Sequence, residues 1–506
     1  MSKEFTIYYT SDTHGHIFPV NYAANCAEDG GLLNLAHKVK KDGNTLVLDG
    51  GDSLQGTPLT QYYLENRSVW PVHPVAAAFN AMGLDCFTLG NHDFNFGYEA
   101  LRDFIDAMNA ECLCANLTDL GGELSVRPWT VRTLENGLRV GITGVVTDFV
   151  NVWEQPCNME NLRISDAFTA AARAYEYLKG RCDVTVCIYH GGFEEDLSTG
   201  RLLSDSGENV GCKIARELGY DILLTGHQHI QVEGVELHGT YAVQPPANAP
   251  ACVKLEASAG AGRVQCSSAM LQSGNEHSAE PYNTLCPLEE AVQSWLDSPV
   301  GLLTESVPPE GKLDVALYGS RVADLFNLVQ LETTGADISC TSLGNDPIGL
   351  ASPVTMRGIT AAYLFANTLV VMEANEETIR SALERCASYF TLENGTPRVS
   401  NEFLLPKVEH YNYDFYAGIS YSFDLRRPVG SRVISLTLPD GSPLGTKKYS
   451  LVTSNYRATG TGGYGALRCC RVLWRGGREM PDLTAEYVHK HSPLNVSRRG
   501  EMHVLW

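Results

Sequence analysis

Five short stretches in the first half of the chain concentrate side chains that bind metal ions or move protons. They are SDTH with Asp12 and His14, GGD with Asp52, GNHDFN with Asn91, His92, Asp93 and Asn95, YHGG with His190, and GHQH with His227 and His229. Imidazole, carboxylate and amide donors mixed in this way suit divalent transition ions such as zinc, manganese, iron or cobalt, whereas calcium prefers an all-oxygen shell. The donors outnumber the positions around one ion. Two ions sharing one carboxylate would use them all, at the ~3.5–4 Å spacing of hydrolytic two-metal sites. On an extended loop, Asp-x-His and His-x-His would turn alternate side chains to the same side.

The elements that must position these residues are legible around them. Short β-rich runs give expected strands at Phe5–Thr10, Thr45–Leu48, Cys86–Leu89, Arg139–Val146, Val184–Tyr189 and Asp221–Thr225. Helical patterns alternate with them, as in DAFTAAARAYEYLKG, where Asp166 can cap the start and Gly180 the end. This alternation predicts an α/β domain over residues 1–272. In such sheets ligands gather at the carboxyl ends of strands, where all five motifs fall. Singly, each motif is weak: a DxH is more often a capped turn, and His190 alone would be a hydrogen-bonded core histidine. Their joint placement favours metal chemistry. His37, His73, His238, His277 and His410 lack such company and read as surface or packing residues, and His16 as a turn stabiliser.

The chain has 506 residues, too many for one core. Residues 273–309 are polar, hold five prolines and one amphipathic piece, LEEAVQSWLD, and read as a linker with a short helix. Residues 310–506 form a second unit of α+β pattern, with helices near 360–368 and 376–388 and strands in ISYSFDL, VISLTL and YSLVTS. With 38 Lys plus Arg against 59 Asp plus Glu, the net charge of −21 argues against nucleic-acid polymers and anionic membranes as partners. The start MSKEFTIYYTSD has no apolar export signal, and fifteen scattered cysteines read as reduced thiols, so a cytoplasmic location is expected.

The order DxH, GGD, GNHD, HGG, GHxH resembles the calcineurin-like metallophosphatases. That resemblance implies a β-sandwich flanked by helices in four layers, with Asp52 bridging two divalent ions. One ion would be held by Asp12, His14 and His229, the other by Asn91, His190 and His227. Two such ions neutralise phosphate oxygens and lower the pKa of a bound water, so a metal-bound hydroxide, rather than a Ser or Cys, is the expected attacking group. Expelling the leaving group favours a general acid. His92, beside Asn91, is placed to serve, and in the family the matching histidine stabilises the transition state; Asp93 reads as a supporting acceptor or helix cap.

The second unit is similar to the nucleotidase family, which includes 5'-nucleotidases, UDP-sugar hydrolases and 2',3'-cyclic-nucleotide phosphodiesterases with 3'-nucleotidase activity. The likeness rests on ANTLVVMEANEETIRSALERCASYF, HYNYDFYAGISYSFDLRRPVGSRV and VTSNYRATGTGGYG. By position, the family's two base-stacking aromatics fall on Tyr413 and Tyr464, and a substrate-contacting arginine on Arg321; the alternative for either tyrosine is a packing role. The partner so implied is a small nucleotide; oligomeric state carries no sequence signal. TSLGND lacks the paired glycines and arginine of the 5'-nucleotidase pattern, and GALRCC after Tyr464 lacks an acidic ribose contact, so a cyclic phosphodiester or 3'-phosphate is favoured over a 5'-phosphate. Other readings are a sulfur-ester hydrolase of the thiosulfohydrolase type and a catalytically silent nucleotide binder; the complete ligand set disfavours the second. Asn95 is paired with His92 in the catalytic set. Where many 5'-nucleotidases carry an aspartate, an amide orients the imidazole without lending it charge. On sequence grounds, Asn95→Asp is expected to move the acid limb of the pH–rate profile upward.

Overall fold

Val184–His190 reads VTVCIYH and is buried throughout, as a strand covered on both faces must be. It lies inside a six-stranded sheet ordered Val232–Leu237, Thr240–Gln244, Ile222–Thr225, Val184–His190, Arg139–Val146 and Trp129–Thr133, whose inner four strands are parallel. A seven-stranded sheet faces it. Its order is Arg263–Gln272, Ala251–Gly260, Lys3–Thr10, Thr45–Asp49, Cys86–Phe87, Glu111–Leu113 and Val126–Arg127, antiparallel only where the first three strands meet. Between the sheets, Ile7, Leu46 and Leu48 pack in one core with Ile142, Val186, Ile188 and Leu224.

Helices cover the outer faces. Helix Ala167–Leu178 lays Ala170, Ala171 and Ala174 against Val145, Cys187 and Leu223 of the six-stranded sheet. Asp166 caps it, accepting from Thr169 N at 2.7 Å, and Gly180 leaves it at φ +74°. Outside the other sheet, Phe104 of helix Gly97–Ala107 meets Phe87 edge-on at 5.6 Å. The four expected layers are therefore present.

This computed structural model describes residues 2–260, 263–365, 367–405, 408–498 and 501–506. The chain divides into two units, Met1–Gln293 and Ser294–Trp506. The boundary falls inside a helix, Ala279–Asp297, longer than the piece LEEAVQSWLD alone. It runs through Pro287 at the loss of a backbone hydrogen bond. A buried stripe of Leu285, Leu288, Val292 and Leu296, at three- and four-residue spacing, holds both sides of the proline.

The second unit is built on a five-stranded sheet ordered Asp414–Ala417, Ile338–Ser342, Tyr449–Ser454, Thr368–Ala374 and Arg471–Glu479, with helix Arg321–Thr334 against it. The expected helix over 360–368 is corrected: the helix is Met356–Ala362, capped by Thr355, and the apolar run TLVVMEA beyond it is a strand. Ala366 lies outside the described residues. The expected helix at 376–388 is Glu376–Ala387, with Asn375 as its cap.

One acid at the end of strand Thr45–Asp49 couples this fold to pH. Burial pushes the Asp49 carboxyl up to about 7, against hydrogen bonds from Thr10 and Gly51 that favour its charged form. The unfolded chain releases that proton near 3.8. Between those values the folded state binds more protons, so the Asp49 contribution to stability falls as pH rises from about 4 to about 7. Denaturant unfolding across that window is expected to show a wild-type decline of up to about 1.4 kcal/mol per pH unit that Asp49→Asn lacks.

Candidate metal centre

The ligand-bearing loops are tied to one another by backbone. Beyond strand Lys3–Thr10, Asp12 N donates to Gly51 O at 2.8 Å and His14 N to Asp52 O at 2.9 Å, which lays the SDTH loop on the GGD loop. The GGD loop is in turn held to the GNHD loop by the Asp93 carboxylate. Its oxygens accept from the amides of Gly90, Asp52, Ser53 and Leu54 at 2.8 to 3.0 Å. The two loops lie so close that a Cβ on Gly51, at φ +90°, would collide with the Gly90 amide.

Five of the seven expected ligands are not on extended backbone. Asp12, His14, Asp52, His227 and His229 have φ of 53°, 48°, 57°, 72° and 54°, the left-handed region that non-glycine residues seldom occupy. The expected strand-like alternation in DxH and HxH is thus corrected. Each motif is a tight turn with left-handed residues on both sides of Thr13 or Gln228, and it still brings both side chains to one place. Such conformations cost about 1 kcal/mol or more each and persist where the surroundings enforce them.

Two groups of donors converge. Asp12, His14 and His229 offer ligand atoms within 4.8 Å of one another, as do Asp52, His190 and His227. Asn91 joins the second group, its Oδ1 lying 2.9 Å from His227 Nδ1 and 3.2 Å from His190 Nε2. The structure thus brings together all seven residues expected to bind metal. Carbonyl oxygens, which only accept, fix two tautomers: His14 Nδ1 donates to Gln55 O at 2.8 Å and His190 Nδ1 to Gly50 O at 2.7 Å, leaving both Nε2 atoms for the centre. His227 is reversed. Its Nε2 donates to Glu208 Oε1 at 2.9 Å, so Nδ1 faces inward.

The donor set fits divalent cations. His14 Nε2 and His229 Nε2 stand 3.0 Å apart, a distance at which two lone pairs repel unless a cation or proton lies between them. Burial pushes His14 down to about 4. Burial would lower His190 as well, but the charge of Asp52, 3.2 Å away, overrides it and raises that histidine to about 10. Protons and metal ions therefore compete for one negative pocket. Asp12 and Asp52 are held well below the usual carboxylate range because the surrounding imidazoles outweigh burial.

His92 adjoins this cluster, its ring centroid 5.6 Å from that of His14 and its amide donating to Asp52 Oδ1 at 2.7 Å. Asn95 Oδ1 lies 2.8 Å from His92 Nδ1. Sequence reasoning missed three neighbours: Glu208 behind His227, Trp153 stacked on the His227 ring at 5.4 Å, and Glu154 beyond Asn95. Trp153 and Glu154 follow strand Arg139–Val146, and the rule that sites form at the carboxyl ends of strands pointed there too.

The expected substrate contacts are not gathered in the same way. Tyr413 and Tyr464 are 3% and 1% exposed, which corrects the expectation of stacking faces open to a base. The Tyr413 hydroxyl donates to Ala316 O at 2.9 Å and its ring packs on Tyr389 and Phe415. Tyr464 donates to Asn412 O at 2.9 Å beneath the Arg457 guanidinium, 4.0 Å from its ring, and Arg457 pairs with buried Asp414 at 2.8 Å. Within NYRATGTGGYG, Arg457 and Tyr464 thus belong to a buried polar cluster, while Tyr456 and Thr461 are exposed. Arg321, at the start of its helix, pairs with Glu305 at 2.6 Å.

A helix-covered double sheet with two histidine–carboxylate triads at its strand ends defines a dinuclear metallophosphoesterase. Residues 5–231 match the calcineurin-like phosphoesterase family and residues 309–468 the 5'-nucleotidase C-terminal domain. The chain thus joins a calcineurin-like phosphoesterase domain to a 5'-nucleotidase C-terminal domain. It is 24% identical to the trifunctional nucleotide phosphoesterase YfkN of Bacillus subtilis over 97% of its own length, and spans only 38% of that protein. It is also 24% identical to the 2',3'-cyclic-nucleotide 2'-phosphodiesterase/3'-nucleotidase of Haemophilus influenzae, covering 96% of this chain and 84% of that one. A Staphylococcus aureus protein assigned as a 5'-nucleotidase, solved with alpha-ketoglutarate, superposes with a TM-score of 0.87 at 28% identity over the whole of both chains.

The carboxylate behind His227 gives a direct test. Glu208→Ala is expected to weaken metal binding on the His227 side by about 10- to 100-fold while leaving the Asp12–His14–His229 side nearly unchanged, as read by chelator competition with manganese.

Proposed function

We propose that this protein hydrolyses phosphoester bonds of nucleotides, with 2',3'-cyclic nucleotides and 3'-nucleotides as preferred substrates. The observation that carries the reading is the convergence of seven donors into two adjoining groups at the strand ends. Asp12, His14 and His229 would hold one divalent ion and Asn91, His190 and His227 the other, with Asp52 shared. Bound there, two such ions offset the charge of a phosphate and make water a stronger nucleophile. They also supply the local positive charge that a chain of net charge −21 otherwise lacks.

The side chains do the rest. Gln55 and Gly50 carbonyls and the Glu208 carboxylate keep the imidazoles of His14, His190 and His227 turned to the centre. His92 is the group assigned to the leaving oxygen: its Nε2 would donate a proton as the phosphorus–oxygen bond breaks, so that the departing sugar leaves as an alcohol. Asn95 in place of an aspartate, and the absence of a 5'-nucleotidase arginine from TSLGND, favour the cyclic and 3'-substrates over 5'-monophosphates or UDP-sugars. The name of the Haemophilus relative supports the same choice. All fifteen cysteines are free thiols, which supports a reducing, cytoplasmic location, and no described helix is long and apolar enough to cross a membrane.

His92→Ala is expected to retain two equivalents of metal while losing about 10²- to 10⁴-fold in turnover. Wild-type turnover in that variant would remove His92 from the mechanism. A panel of 2',3'-cyclic AMP, 3'-AMP, 5'-AMP and a UDP-sugar under saturating manganese is expected to rank the first two highest in kcat/KM; preference for 5'-AMP would reverse the substrate assignment.

A further inference from the structure

The segment after strand Arg139–Val146 makes a set of contacts that the reaction as described leaves unused. Its short helix, Val150–Trp153, ends at Glu154. Glu154 Oε2 accepts from Asn95 Nδ2 at 2.6 Å, and Oε1 accepts from the Gln155 amide at 2.7 Å and from Asn158 Nδ2 at 2.8 Å. Asn158 Nδ2 also donates to Asn95 O at 2.9 Å. Asn95 is therefore gripped through both its main chain and its side chain.

An amide side chain has one accepting end and one donating end. Glu154, facing three donors, can only accept, so Nδ2 of Asn95 is committed to it and Oδ1 is the end turned to His92. A carbonyl oxygen cannot donate. The hydrogen between Asn95 Oδ1 and His92 Nδ1 therefore belongs to the imidazole, which leaves Nε2 as the nitrogen free to act.

We propose that Glu154 is a positioning residue for the reaction. By holding the Asn95 amide in one orientation, it keeps a hydrogen on His92 Nδ1, so that the imidazolium turns its second hydrogen, on Nε2, toward the leaving oxygen and is left as the neutral Nδ1–H form once that hydrogen is given up. This rests on the assignment of His92 as the leaving-group acid. It also changes the expectation for Asn95→Asp, because an aspartate there would face a second carboxylate as well as the histidine.

Three variants test the chain: Glu154→Gln, Asn95→Asp and the two together. In Glu154→Gln, one end of the new amide meets a donor it cannot accept from, and relief comes by turning the Asn95 amide over. A fall in kcat of about tenfold with KM within about twofold is expected. Asn95→Asp sets two carboxylates against each other and is expected to lose a similar amount. In the double variant the introduced glutamine amide donates to the introduced aspartate, whose other oxygen accepts from His92, and kcat should recover at least about fivefold over either single variant. Losses that simply add would overturn the proposal, since loss of packing alone predicts no rescue.

A second readout is independent of turnover. Nitrogen-15 spectra recorded with the imidazoles neutral should place the single hydrogen of His92 on Nδ1 in the wild type and move it to Nε2 in Glu154→Gln. A hydrogen that stays on Nδ1 in that variant also overturns the proposal. If it moves while turnover is unchanged, Glu154 does set the tautomer and the assignment of His92 as the acid is what fails.

Discussion

Two of the ligand loops are joined through one carboxylate that lies outside both donor groups. Asp93 accepts four backbone amides from two different loops, and with them it sets the distance between Asp52 on one loop and Asn91 and His92 on the other. The glycines that flank it, Gly51 and Gly90, are there because the loops approach too closely for a side chain. A buried carboxylate is tolerable only when its hydrogen-bonding capacity is filled, and here the filling is done by main chain that must otherwise find partners. The same bonds that satisfy Asp93 therefore also give the ligands their geometry.

Around that frame, four of the ligands are oriented from behind. His14 and His190 are backed by carbonyls, His227 by Glu208 and Trp153, and Asp12 by Ser11 Oγ at 2.6 Å. Two anchors come from the loop after strand Arg139–Val146: Trp153 steadies His227, while Glu154 reaches Asn95 on the other side. One short helix thus touches both the binding and the acid–base sides of the centre. Two buried carboxylates, Asp12 and Asp52, set the field of the centre, and the high proton affinity of His190 beside Asp52 reports it.

Much of this was legible in the chain because strand ends and ligand chemistry are both local properties. VTVCIYH announces a buried strand and its terminal His190 a site residue, and the same holds for GGD after TLVLD. What sequence spacing left hidden was set by tertiary contacts. Nothing in DTH or HQH reveals a left-handed backbone; DTH is tied to the GGD loop and to Asn248, and HQH by the His227 amide to the Asp12 carboxylate. Tyr413 and Tyr464 sit in glycine- and aromatic-rich stretches that look like a binding surface, yet burial of Arg457 with Asp414 draws them into the core. Pro287 signals a helix boundary by its chemistry, and a continuous apolar stripe overrules it. Glu154 and Glu208 lie 59 and 19 positions from their partners, beyond the reach of any motif.

The five left-handed ligands have a bearing on descent as well as on chemistry. At about 1 kcal/mol each, their backbone strain sums to several kcal/mol, a sizeable share of the ~5–15 kcal/mol that holds an ordinary domain together. Natural selection for hydrolysis is what keeps Asp or His there. A lineage that lost the activity but kept the fold would be released from that selection, and glycine or asparagine, the residues most at ease in this conformation, would accumulate at positions 12, 14, 52, 227 and 229. Retired members of such a family should thus be recognisable by how comfortably they have relaxed.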